Sequence, residues 1–75
     1  MTFHELDTVV IVRDLPAHGV RAGDLGAIVH VHRDGLYEVE VGRADGTSQA
    51  VITLGGDDLR PVSGADVLAV RPLSR

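Results

Sequence analysis

Seventy-five residues, 44% of them hydrophobic and 24% charged, describe one small globular domain and not a disordered chain. The absence of cysteine excludes disulfides and a thiolate zinc site as supports for the fold, and a net charge of −4 argues against a nucleic-acid-binding arm. No uninterrupted apolar run exceeds four residues, the length of Val9–Val12, which is too short to span a bilayer, and no secretory leader is expected at the N-terminus.

In chain order, the first expected strand is Thr8–Arg13, apolar on both faces. Val9 and Ile11 are expected inward, which leaves Val10 and Val12 outward. Asp14–Ala22 contains Leu15-Pro16 and His18-Gly19 and reads as an irregular loop. Leu25–His32 is a second strand, with Leu25, Ala27, Val29 and Val31 on the face taken as inward and Gly26, Ile28, His30 and His32 on the other. Leu36–Val41 follows, with Tyr37, Val39 and Val41 inward and Glu38 and Glu40 outward. Asp45-Gly46 then suits a two-residue type I′ turn. Gln49–Leu54 is the fourth strand, one helical turn is expected near Asp58–Arg60, and Arg60–Val62 is a short fifth strand that Pro61 restricts to an edge.

Register follows from keeping inward residues opposite one another. Across Asp45-Gly46 it places Val41 against Ala50, Val39 against Ile52 and Tyr37 against Leu54. For the preceding hairpin the same rule selects a three-residue loop, Asp34–Leu36, pairing His32 with Glu38, His30 with Glu40 and Val31 with Val39. The expected core is Leu6, Val9, Ile11, Val20, Leu25, Ala27, Val29, Val31, Tyr37, Val39, Val41, Ala50, Ile52, Leu54, Leu59 and Val62. Strand, long loop, three-strand meander, helical turn and short strand is the connectivity of a five-stranded all-β SH3-like barrel over residues 1–62. Residues 63–75 read as an appended tail with Gly64 as hinge and Asp66–Arg71 as an added strand. That tail is expected either to cover Val10 and Val12 or to pair with a second chain, since a core this small gains from oligomerisation.

The segments Leu6-Asp7-Thr8-Val9, Asp14-Leu15-Pro16, His18-Gly19-Val20, Gly23-Asp24-Leu25-Gly26, Tyr37-Glu38-Val39-Glu40, Asp45-Gly46 and Asp58-Leu59-Arg60 together resemble a family of short bacterial proteins, domain of unknown function 4926. The resemblance covers about residues 5–62, and Val41 departs from it where Phe is expected. It implies a bacterial, cytoplasmic SH3-like barrel. It brings no established activity, and an occurrence beside toxin-like genes suggests a binding or immunity role. Gly23-Asp24-Leu25-Gly26 with Ala27-Ile28-Val29 also looks like an element of ribosomal SH3-like barrels, although glycines there serve first as a turn and strand entry.

No catalytic residue, cofactor or metal is assigned. His30 and His32 share a face with Glu38 and Glu40; a metal site is the weaker reading, and an exposed ladder of cations facing anions the stronger. Asp57-Asp58 reads as a helix start. The serines lack a supporting base motif, and no phosphate loop is present. Phe3 and Tyr37 are the only aromatics, too few for a proline-peptide groove, a methyl-lysine cage or base stacking. The seven basic residues are all arginine and scattered among eleven acids. The expectation is therefore a non-enzymatic protein-interaction module, with an unidentified protein partner or self-association. Its candidate surface is Val10, Val12, His18, Arg21, His30, His32, Glu38 and Glu40. The alternative is an RNA- or ribosome-associated barrel, and a weaker third reading is a metal-binding accessory protein.

Overall fold

The structure, a computed structural model, describes residues 2–72. It is all-β, with β1 Thr8–Ile11, β2 Leu25–Val31, β3 Leu36–Gly42, β4 Ser48–Gly55 and β5 Leu59–Pro61. Two single 3-10 turns, Pro16–His18 and Gly56–Asp58, precede β2 and β5. One antiparallel sheet runs in the order β4-β3-β2-β1-β5. Its edge strands β4 and β5 are not paired with each other, so backbone hydrogen bonding leaves the sheet open. Residues 66–71 form no strand.

With one sheet and no second layer, the inner face must be covered by its own curl and by loops. Val9 and Ile11 of β1, Ile28 of β2, Tyr37, Val39 and Val41 of β3, Ile52 and Leu54 of β4 and Leu59 of β5 meet in one core. Phe3, Leu15 and Val20 close it from outside the sheet. Phe3 packs edge-on to Tyr37 with ring centroids 5.5 Å apart, and its N–H donates to the Tyr37 hydroxyl at 3.3 Å. Neither Phe3 nor Leu15 is anticipated by strand periodicity, because both lie outside strands.

The β3–β4 hairpin has the expected body register: Val41 faces Ala50, Val39 faces Ile52 and Tyr37 faces Leu54. Its turn differs. Gly46 N–H donates to Arg43 C=O, and Gly46 has a left-handed φ of 87° while Asp45 does not. Type I′ needs positive φ at both central residues, so the turn is instead a type I turn ended by glycine, followed by a bulge at Gln49.

The β2–β3 hairpin corrects the expectation. Ile28 faces Val39, but His30 faces Glu38 and Val31 faces Tyr37, so Val29 is an extra residue on β2. The loop has three residues, but they are Arg33–Gly35, because His32 N–H donates to Leu36 C=O. The bulge reverses the parity of β2. Before it, Gly26 and Ile28 point inward and Leu25 and Ala27 outward; after it, His30 points outward and Val31 inward. Leu25 and Val29 are thus not core, and Val31, though on the inward side, is exposed at the strand end and is not core either, whereas Ile28 is completely buried. Leu6, with φ 72°, and Val62 are exposed as well.

Candidate functional site

The outer face of the sheet carries a row set by register. Val10 of β1 lies opposite Leu25 of β2 on one side and Arg60 of β5 on the other. Val10 points outward and is only 3% exposed, in line with the expectation that the tail covers it. Val12, one step past β1, stays 42% exposed.

The covering chain is the segment after β5. Ser63–Asp66 forms a tight turn: Asp66 N–H donates to Ser63 C=O at 3.0 Å, and Ser63 N–H donates to Asp66 Oδ2 at 2.6 Å. Arg60 grips the same carboxylate with Nη1 at 2.9 Å and Nη2 at 2.8 Å. Residues 67–70 then cross the sheet. At the far end Arg71 donates from Nε and Nη2 to Asp24, beside Leu25, and from Nη2 to Gly19 C=O at 3.1 Å. Two arginine–carboxylate forks therefore hold a strap over the Arg60–Val10–Leu25 row. Between strap, sheet and hairpin lies an open cleft of about 920 Å³, lined by Val10, Leu25, Gly42, Arg43 and residues 66–71 among others.

The cleft's other wall is the β1–β2 loop. It is folded back on itself by the Leu15–Val20 bridge around the Pro16–His18 turn. Asp14 accepts the Ala22 N–H at 2.9 Å, and Asp24 accepts the Arg21 N–H at 2.8 Å. The Gln49 bulge locks this loop to the hairpin. Gln49 Nε2 donates to His18 C=O at 3.0 Å, while its Oε1 accepts Arg43 Nε at 3.2 Å and Nη2 at 3.1 Å.

Charge in the cleft is ordered by these contacts. Partial burial of Asp24 pushes its carboxyl up, but the hydrogen bonds from Arg71 and Arg21 outweigh it and hold the group below its ordinary value. Asp66 falls to about 2, chiefly through its hydrogen bonds with Arg60 and the Ser63 N–H. Four of the seven arginines, Arg21, Arg43, Arg60 and Arg71, line this one cleft although they are scattered in sequence.

The eight expected surface residues do not form one patch. Val10 and Arg21 line the cleft, and His18 offers its carbonyl to Gln49 behind it. His30, His32 and Glu38 share the outer face at the opposite end of β2, whereas Glu40 lies opposite Ala27, nearer the cleft. The two imidazoles meet edge-on with centroids 4.6 Å apart. His32 Nε2 lies 3.5 Å from Glu38 Oε2 as expected, but His30 Nδ1 faces Glu5 at 3.8 Å instead of Glu40. Glu40 accepts the Ser48 hydroxyl at 2.6 Å, and Glu38 the Thr53 hydroxyl at 3.0 Å. Among the described residues no three metal-ligating side chains converge. Asp58 does not cap its turn; it holds Arg13 Nε at 2.7 Å.

The residues that build the strap site, Asp24, Gln49, Arg60, Asp66 and Arg71, were not singled out by sequence. The signal that could have found the strap is the bracketing of an apolar run, Val67–Val70, by opposite charges at Asp66 and Arg71. No helix of the described residues is long and apolar enough to cross a membrane. No curated protein and no solved structure matches the chain. The model of one family, the domain of unknown function DUF4926, matches residues 5–61, well over half of the chain, and the chain therefore belongs to the DUF4926 family.

Proposed function

We propose that this chain is a non-enzymatic, cytoplasmic protein-interaction module built on an SH3-like barrel, acting as an immunity or accessory partner of another protein. The barrel reading is supported by the strand order, the 3-10 turn before β5 and the inner faces of all five strands meeting in one core. The observation that carries the functional reading is the outer-face cleft. Its floor is apolar at Val10 and Leu25, its ends carry an arginine and a carboxylate, and an extended segment already lies across it. An extended segment of another protein meets the same complementarity: apolar contact in the middle and paired charge at each end.

The gathering of Arg21, Arg43, Arg60 and Arg71 favours a second reading, an RNA- or ribosome-associated barrel. Three of these guanidiniums are already engaged by Gln49, Asp66 and Asp24, which weighs toward protein. A photo-reactive side chain placed at Leu25, with Thr53 as the control position, separates the readings in cells. Protein adducts at Leu25 alone support the interaction module. RNA adducts at Leu25, together with binding that weakens steeply with salt, replace it by the second reading.

A further inference from the structure

We infer that the strap is exchanged between two copies of this chain, so that Arg71 of each copy docks on Asp24 and Gly19 of the other. The inference rests on reading the cleft as a surface for an extended segment and names the segment.

The strap is separable from the body. Every residue of the inner core cluster lies between Phe3 and Leu59, so moving the strap leaves that cluster closed; the side chain it uncovers, Val10 of the outer face, is covered again by the strap of the other copy. Its near end is tied locally: the Ser63–Asp66 turn and the Arg60 fork join residues at most six apart in sequence and stay with their own body. Beyond that turn, residues 67–70 make no backbone–backbone hydrogen bond among the described contacts. Among the described residues Arg71 is their one long-range hydrogen-bonded attachment, reaching 47 residues back to Asp24 and 52 back to Gly19. The site it occupies is a formed acceptor: a carboxylate and a carbonyl aimed at one guanidinium, with Arg71 and Asp24 both largely shielded from solvent.

The side chains of the span face the wrong way for a purely internal role. Val67, Leu68 and Val70 are 89%, 70% and 97% exposed. Leu25, Val12 and Val62 on the same side of the molecule are also partly exposed. Five residues from Val67 to Arg71 reach roughly 17 Å when extended, so a released Arg71 finds Asp24 only on a copy packed directly against this face. That geometry is a two-fold dimer with outer faces together. Each Arg71 keeps the contacts it has now, and the three exposed strap side chains are buried between the copies. Exchange preserves the ion pairs and adds apolar burial, which a small core lacks.

Charge reversal tests this on the full-length chain. Asp24→Arg sets two guanidiniums against each other at the docking site, and Arg71→Asp sets two carboxylates together there. An exchanged pair of one of each variant has one site where the substituted guanidinium meets the substituted carboxylate, and one where the native Arg71 of the first variant meets the native Asp24 of the second. By analytical ultracentrifugation, the wild type is expected to dimerise, each variant alone to dimerise at least about tenfold more weakly, and the equimolar mixture to recover dimer. A second measurement leaves the charged contacts intact: a spin label on Ala69→Cys, in a chain otherwise free of cysteine, should broaden the Gly23 and Asp24 amides of an isotope-labelled unmodified copy. A monomeric wild type overturns the exchange while leaving the reading of a foreign partner standing. A wild-type dimer whose mixed variants recover nothing and whose label broadens no partner amide overturns it too.

Discussion

Strand β3 has two neighbours, and they hold it by different means. Against β4 it runs in one register from Leu36–Gly55 to Val41–Ala50, and the turn that joins them is clamped by side chains: Asp45 Oδ1 accepts the Thr47 N–H at 2.9 Å and its hydroxyl at 2.7 Å. Against β2 the register breaks at Val29, and the Arg33–Gly35 turn shows no side-chain hydrogen bond among the described contacts. On the β2 side, shape holds the pair. Ile28 is completely buried opposite Val39, and a Cβ on Gly26 would lie 2.5 Å from Val39 Cγ1. A strand with clean alternation locks by register and turn chemistry, whereas a strand apolar on both faces locks by which side chain the core admits.

The sharpest way to break this comparison is at Ile28. Ile28→Ala should cost about 2–5 kcal/mol through lost burial and a cavity, while Val29→Ala, one residue along on the bulge, should cost less than about 0.5 kcal/mol. Chemical denaturation of the two variants reads the contrast, and a loss at Val29 as large as that at Ile28 would overturn the assignment of Val29 to the bulge outside the core. Next in size, Gly26→Ala should destabilise by about 1–3 kcal/mol, because the added methyl meets Val39 Cγ1 and, at 3.2 Å, the Glu40 carbonyl. A thermal midpoint no lower than that of the wild type would remove the close β2–β3 approach at this point.

Gln49→Ala probes the β4 side, where the bulge ties the hairpin to the β1–β2 loop. It should cost about 1 kcal/mol and speed amide exchange at Gly19 and Val20, since His18 C=O and Arg43 lose their shared partner. Unchanged exchange in that loop would show that the Gln49 contact does not hold it. The smallest effect is the acid clamp in the turn. The Thr47 hydroxyl and N–H hold the Asp45 carboxyl below its ordinary value of 3.8. A depressed folded value adds stability that is present above the unfolded value and is lost as pH falls through the folded one. The loss should therefore appear only below about pH 4. Carboxyl NMR titration should place Asp45 below 3.8, and Thr47→Val should move it back up; an Asp45 midpoint indifferent to Thr47 would discard the clamp.

The sequence determined the five strands of the sheet, their order and the body register of the β3–β4 pair, though not the added strand expected at Asp66–Arg71, because period-two alternation in Tyr37–Val41 and Ala50–Leu54 has only one inward phase. It also placed His30 and His32 on the outer face beside Glu38, although the β2 phase taken for Leu25 and Ala27 was inverted. The Val29 bulge explains both outcomes, since one extra residue flips the parity partway along the strand. Nothing in a run of Leu, Gly, Ala, Ile and Val announces where that extra residue falls. Only packing decides, by admitting Ile28 to the core and Val39 to the space above Gly26. The site was less legible still. Asp24 and Arg71 lie 47 residues apart and meet only because β5 lies beside β1 and β1 beside β2, whereas Arg60 meets Asp66 because the chain turns back at Ser63. Local patterns record faces and turns; charge pairing across a sheet exists only once the strands are in place.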